Sequence, residues 1–323
     1  MMQNQIRRDL RIQTIGIALA AYRPNPEYFS AQLKSIQDQT FLRWTCYITS
    51  DSPLEEIFNS ELLEPFRKDP RFVWSENEVR LGHKKNFERA MRLSADTADA
   101  VAPSDQDDIW YPEKLETCRA ALESGGALSL VHSDMHVLQG ATRLSETAWM
   151  IEKRGVWNCS PAELLVRNVV AGCGLLIDSE LVKRFWVIPH GAEYHDHWFA
   201  LVAASHGGIF PISTPLYEYR QHGANTVGVT PFPGTFAEIT KYRFSALIEK
   251  CRATERKSAE LFRAADTLHL PLGNLARIIV GSRYDFGLGY FFLGLRAFFS
   301  KDRALARACF ARAFGKLSFL GLR

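Results

Sequence analysis

The chain has 323 residues, 46% of them hydrophobic, which is enough to bury one large core or two smaller ones and excludes wholesale disorder. Its six cysteines, at positions 46, 118, 159, 173, 251 and 309, contain no CxxC pair, so neither a zinc site nor a disulfide framework is indicated, and a reducing compartment fits best. Formal net charge is +3, but residues 235–323 carry 16 Lys or Arg against 7 Asp or Glu; that +9 leaves −6 for residues 1–234. The change coincides with the Pro/Gly cluster TPFPGT at 230–235 and predicts an acidic body, 1–234, followed by a basic region, 235–323.

Arg7, Arg8 and Arg11 precede the apolar run Ile15 to Ala21, in outline a secretion signal. The run is too short for one and leaves through Tyr22, Arg23 and two prolines, as a strand entering a loop does. Thr14 to Ala21 is therefore predicted as a first strand, and Glu27 to Gln39, with Phe29, Leu33 and Ile36 at helical spacing, as a helix. A strand at Thr45 to Thr49 ends in the polar turn Ser50, Asp51, Ser52, Pro53. A weaker helix around Leu54 to Phe66, a strand at Arg71 to Ser75, a loop from Asn77 to Gly82 and a helix at His83 to Leu93 follow. Strands and helices alternating at these lengths argue for an α/β fold, a mostly parallel mixed sheet flanked by helices.

The apolar run Ala98 to Pro103 leads into Asp105, Asp107 and Asp108, with Pro112 marking the start of a helix to Leu122. Three carboxylates that close repel one another, and at a strand end they imply a divalent cation or a cationic partner, or else a solvated turn capping the helix. Hard oxygen ligands suit Mg²⁺ or Mn²⁺, and in open α/β sheets ligands gather at the carboxyl ends of strands. Further on, Leu128 to His132 and Met135 to Leu138 read as strands, the polar stretch to Asn158 has no clear pattern, and Pro161 to Asn168 reads as a short helix. Val169 to Ile177 reads as a strand in which Gly172 and Gly174 admit a close neighbour. Asp196, between His195 and His197, stands before the apolar helical run Trp198 to Ser205, where capping is the default role of an aspartate. Strands at Ile209 to Ile212 and Leu216 to Tyr219 end in Arg220, Gln221 and His222, a cation and an imidazole suited to an anionic ligand.

Seven segments, in this order, resemble the bacterial family 2 glycosyltransferases, especially the rhamnosyltransferase-like group of surface polysaccharide assembly. They are the Ala20 to Tyr22 strand exit, SIQDQTF at 35–41, Asn86 and Phe87 of LGHKKNFE, SDQDDIWYPEKLE at 104–116, AGCGLLID at 171–178, HDHWFALVAASHGGI at 195–209 and PLYEYRQHGANTVG at 215–228. The resemblance implies a GT-A fold, a nucleoside-diphosphate sugar donor with L-rhamnose as the first expectation, a divalent metal (Mn²⁺ or Mg²⁺) and inverting transfer. It implies that Asp107 ligates the metal, with His222 as a further metal or diphosphate contact. Tyr22, Asp51, Asn86, Asp105, Gln106 and Arg220 would contact the nucleotide sugar, Asp51 holding the base although the usual paired acids are replaced by SDSP. Asp196 would be the general base, and Gly172, Cys173, His195, His197 and Trp198 would line the acceptor or sugar pocket.

The implied acceptor is a saccharide or lipid-linked oligosaccharide, not nucleic acid, at the cytoplasmic face of the bacterial plasma membrane. Residues 286–299, FGLGYFFLGLRAFF, fall short of the ~20 apolar residues needed to cross a bilayer. Arg303, Arg307, Arg312 and Lys316 recur beside Phe310, Phe314 and Leu317, so residues 275–323 suit an anionic membrane surface, the catalytic body or a homodimer partner. Two other classes remain: a nucleotidyltransferase, which would be expected to carry a glycine-rich phosphate loop where this chain has AAYRPNPEY, and a noncatalytic polysaccharide-binding relative.

Overall fold

The computed structural model describes residues 11–152, 160–166, 168–192, 194–222, 229, 257–274, 276, 294 and 309. The first half runs β1 (Ile15–Ala21), α1 (Pro26–Gln37), β2 (Trp44–Ser50), α2 (Leu54–Phe58), a 3-10 turn (Glu61–Leu63), α3 (Glu64–Lys68), β3 (Phe72–Glu76), α4 (His83–Thr97) and β4 (Ala100–Ser104). The second runs β5 (Ile109–Trp110), α5 (Lys114–Gly125), β6 (Ser129–Gln139), β7 (Thr142–Thr147), α6 (Ala148–Ile151), α7 (Pro161–Val166), β8 (Leu175–Asp178), α8 (Ser179–Phe185), α9 (His195–Ser205) and β9 (Gly208–Gln221).

Among the described residues these strands form one mixed sheet in the order β3-β2-β1-β4-β8-β6-β9-β5, with β7 beside β6. Strands β3, β2, β1 and β4 are mutually parallel, so their carboxyl ends open on one edge. Strand β8 runs antiparallel between β4 and β6, and the short β5 pairs antiparallel with β9. The alternation of side chains along each strand builds the two faces. Ile17 and Leu19 of β1, Ala102 of β4, Val131 of β6 and Leu176 of β8 pack with Phe29 and Leu33 of α1 and Leu115 and Cys118 of α5. Their neighbours Ala18, Val101, Leu130, Leu175 and Ile177 pack on the other face with Ala90 and Met91 of α4, Leu181 of α8 and Phe199 of α9. Gly16 lets α4 come this close: a β-carbon there would stand 2.7 Å from Cβ of Ser94.

Several boundaries differ from the sequence reading. The expected helix 54–66 is broken by Pro65, which lacks an N–H and instead sits in the first turn of α3. The two strands expected at 128–138 are the single strand β6, and those expected at 209–219 are β9, each irregular in register near its middle. The apolar run Val169 to Ile177 is not all strand; its two glycines form a 3-10 turn, Gly172–Gly174, and the strand starts at Leu175. Helix α9 begins at His195, not Trp198.

The boundary at 230–235 and nearly all of residues 275–323 lie outside the described residues. Within the basic region, residues 257–267 are helical, and Leu261, Ala265, Leu270, Leu272, Ala276 and Cys309 are buried in the same apolar cluster as α8 and α9. No helix among the described residues is long and apolar enough to cross a membrane.

Candidate active site

The parallel strands deliver Tyr22, Asp51 and Asp105 to the same edge of the sheet, and hydrogen bonds between strand exits lock them there. Gln106 takes both backbone groups of Tyr22: its Oε1 accepts the N–H at 2.8 Å and its Nε2 donates to the carbonyl at 3.2 Å. Asn86, buried in the first turn of α4, donates to the carbonyls of Ala21 at 3.2 Å and Thr49 at 3.0 Å, and its Oδ1 accepts from Asn77 at 2.8 Å. Its amide therefore clamps the ends of β1 and β2.

Asp51 has a related task. It accepts from the Asn77 side chain at 2.7 Å and from the backbone N–H groups of Leu81 and Gly82 at 2.8 and 2.7 Å, which folds the loop after β3 back over the sheet edge. That loop sets the Arg80 guanidinium 4.2 Å from the centre of the Tyr22 ring. The base-holding role expected for Asp51 thus falls on a carboxylate already holding a loop, and the Asn86 side chain is spent on bracing the strand ends.

The aspartate loop splits into an open and a closed side. Asp107 is half-buried, and its Oδ2 meets Nε2 of His222 at 2.8 Å, so the first residue after β9 closes on the second acid of the DxD sequence. Burial and the neighbouring Asp105 raise the Asp107 carboxyl above its ordinary range, and His222 opposes them. The His222 ring stacks on Tyr28 of α1 at 6.0 Å, and the Arg220 guanidinium lies 4.1 Å from the centre of that same tyrosine while its Nε donates to the Asp107 carbonyl at 3.0 Å.

Asp108, by contrast, is fully buried; its Oδ1 accepts the Arg220 N–H at 3.3 Å, and burial followed by Asp105 and Asp107 pushes its carboxyl well up. The Asp105 N–H donates to Sγ of Cys173 at 3.1 Å, and the Cys173 thiol donates back to Oδ2 of Asp105 at 2.9 Å. One ligand atom from each of Asp105, Asp108 and Cys173 lies within 4.8 Å of the others, a spacing that could hold a metal ion. Asp107 with His222 is the second place where ligand atoms meet.

The turn at Gly172–Gly174 reaches the other acid of interest. A β-carbon on Gly172 would stand 2.7 Å from Nε2 of His195 and 3.8 Å from Cβ of Asp196, so the turn packs directly on the start of α9. His195 is buried with its ring stacked on Phe87 at 4.1 Å; neither nitrogen has a hydrogen-bond partner among the described residues, and burial lowers its pKa to about 3, leaving the ring neutral. Asp196, in the first turn of α9 and almost buried, accepts the His197 N–H at 2.6 Å through Oδ1. Consecutive residues Gly172 and Cys173 therefore touch the Asp196 turn on one side and the Asp105 loop on the other.

Two residues expected in a sugar pocket point elsewhere. Trp198 is fully buried and spends its indole N–H on the Phe185 carbonyl at 2.9 Å, while Nε2 of His197 meets the Leu164 carbonyl at 2.7 Å. They fasten α9 to α8 and α7 because residues one and two positions past Asp196 turn to other faces of the helix. Conversely, Tyr28, Asn77, Arg80 and Lys114 contribute contacts that the sequence reading assigned to none of them. Only Lys114 had a signal, since it stands inside the DDIWYPEKLE segment.

The sequence matches no known family model and no curated protein. Solved structures resemble it throughout. S. aureus TarS 1-349 in complex with UDP-GlcNAc is 13% identical with a TM-score of 0.53, the match covering 95% of this chain and 92% of that one. The same protein in complex with UDP is 12% identical, and without a named ligand 14% identical, both at a TM-score of 0.51 with 96% of this chain and 92% of TarS covered. At these identities the likeness shows the architecture: a mixed sheet flanked by helices in the glycosyltransferase fold of TarS.

Proposed function

We propose that the protein is an inverting, cation-dependent glycosyltransferase of cell-envelope polysaccharide assembly that draws its sugar from a nucleoside-diphosphate donor. UDP is the nucleotide of the TarS complexes, so a UDP-sugar is the favoured donor, with the rhamnosyl donor of the sequence resemblance as its competitor. One observation supports the reading: the Gly172–Cys173 step abuts both the Asp105 loop and the Asp196 turn, so two segments far apart in sequence meet at one short turn.

In this reading the strand-exit residues Tyr22 and Arg80 border the nucleoside, and Asp105 and Gln106 shape the loop beneath the diphosphate. Asp107 and His222 fit a hard divalent ion because they offer one oxygen and one nitrogen at the half-buried edge, leaving the ion's other positions to phosphate oxygens and water. When bound, that ion supplies Lewis-acid stabilisation of the charge growing on the leaving diphosphate. Arg220, fixed by Tyr28 and the Asp107 carbonyl, adds a permanent positive charge at the same place. Asp196 takes the proton of the acceptor hydroxyl as that oxygen attacks the anomeric carbon from the face opposite the diphosphate, which inverts the configuration. The acceptor is a saccharide or lipid-linked oligosaccharide, met at the membrane surface through residues 275–323.

The test is product analysis with a panel that includes UDP-GlcNAc and a dTDP-linked rhamnose in Mn²⁺. Release of nucleoside diphosphate supports the reading. Release of pyrophosphate would make the protein a nucleotidyltransferase, and absence of both turnover and nucleotide binding would make it a noncatalytic relative.

A further inference from the structure

Two places in the aspartate loop bring potential metal ligands together: Asp107 with His222, and Asp105 with Asp108 and Cys173. The second is the deeper, and what lies beneath it is Lys114. This lysine is fully buried, which is unusual for an ammonium group without a dedicated environment. Its Nζ donates to the Cys173 carbonyl at 2.8 Å and stands 4.7 Å from the centre of the Trp110 ring and 5.1 Å from that of Tyr217. A carbonyl oxygen and two aromatic faces are the surroundings that hold a desolvated cation. Burial lowers the Lys114 pKa, and the nearby Cys118, Cys173 and Asp108 oppose that shift.

We propose that Lys114 is the internal counter-ion of the Asp105–Asp108–Cys173 cluster, closing it to metal and leaving Asp107 and His222 as the cation position. The inference rests on the cation-dependent reading of the site above and deepens it. The fully buried Asp108 carboxylate, with the partly buried Asp105 beside it, needs a positive charge to offset its desolvation and their mutual repulsion. A fixed ammonium meets that need from below without occupying the crevice. A divalent ion placed in the same cluster would then face the ammonium across a low-dielectric interior, where like charges repel strongly. The Lys114 bond to the Cys173 carbonyl also fixes the turn that carries Gly172 to the Asp196 helix, so one buried side chain sets both the charge and the shape of the crevice floor.

Cadmium reports on this directly, because a Cd²⁺–thiolate bond has an ultraviolet charge-transfer band. The full-length protein is titrated with Cd²⁺ alone, and difference spectra are compared between the wild type and Cys173→Ser, which cancels the other thiols. The expected result is no difference, meaning that Cys173 does not bind the ion. Lys114→Met, close to lysine in length and checked for folding by circular dichroism, is expected to gain a band worth one thiolate; the Cys173 proton passes to the buffer as the sulfur–cadmium bond forms. That band should vanish in Lys114→Met/Cys173→Ser. A Cys173-dependent band in the wild type overturns the proposal whether or not the lysine variant folds, and so does a folded Lys114→Met without the band. Mn²⁺-dependent UDP binding, measured alongside on the wild type, separates the two readings: its absence would count against the proposed function while the cadmium comparison still decides the role of Lys114.

Discussion

The backbone of Gly172 lies against the His195 imidazole so closely that a β-carbon would approach Nε2 to 2.7 Å. The next residue, Cys173, exchanges hydrogen bonds with Asp105, so this glycine sets the distance between the aspartate loop and the first turn of α9. Gly172→Ala must push the turn or the helix aside, at a cost of about 1–3 kcal/mol typical of overpacking. Because Asp196 follows His195 in the same turn, the variant is expected to lose sugar transfer at least tenfold, corresponding to about 1.4 kcal/mol of misplaced transition-state contact. UDP binding in Mn²⁺ should stay within about threefold of wild type, since Asp107 and His222 are not displaced. Steady-state kinetics beside calorimetric binding separates the two effects.

The buried His195 predicts an acid-sensitive step in stability. Its pKa is lowered to about 3 in the folded protein, against 6.5 ordinarily, so below 6.5 the unfolded chain takes up a proton that the folded chain refuses. The stability it contributes is fully present above 6.5 and is lost as pH falls toward 3, by about 2 kcal/mol on reaching about pH 5. Asp107 and Asp108, whose carboxyls are raised, work in the opposite sense: they favour the folded state at low pH and that contribution is lost as pH rises. Comparing the chemical-denaturation free energies of wild type and His195→Leu between about pH 7.5 and about pH 5 isolates the histidine, and the variant should show the smaller loss on acidification.

Asn86 and Asp51 should separate fold from loop. Asn86→Ala strips a buried donor from two strand-end carbonyls, and the unsatisfied groups are expected to cost about 2–4 kcal/mol, read as a lower urea midpoint at unchanged slope. Asp51→Ala frees loop donors that reach water more easily, with an expected cost of about 1 kcal/mol and a weakened hold on the nucleoside as Arg80 leaves Tyr22. Fluorescence-monitored unfolding and UDP titration check the pair.

The amphipathic elements of the first half were legible because each strand is a short apolar run and each longer helix shows its buried stripe, as in Phe29, Leu33 and Ile36. Beyond Leu128 the same rules fail for definite reasons. Ser133 and Asp134 look like a break between two strands, yet they are buried within β6, where the Asp134 side chain accepts the Trp149 N–H at 3.1 Å. Helix α8 has a start signal in the sequence: Asp178 caps it by accepting the Glu180 N–H at 3.1 Å. The turn at Gly172 is invisible to periodicity, because an apolar run does not say where pairing starts; its cause lies 68 residues away in the Cys173–Asp105 contact. The candidate site divides likewise. Residue chemistry singled out the aspartate loop with Arg220 and His222, and the family resemblance added Asp196, but neither said which residues would instead be consumed by internal bonds, as Asn86, His197 and Trp198 are.

The central claim, that Asp107 anchors a cation against a diphosphate while Asp196 faces the acceptor, is tested most directly by calorimetric titration of UDP with and without Mn²⁺. The account predicts binding by the wild type that disappears when Mn²⁺ is withheld and in Asp107→Ala, and that persists in Asp196→Asn although sugar transfer is gone. UDP binding of equal strength in Asp107→Ala, or normal transfer by Asp196→Asn, would contradict it.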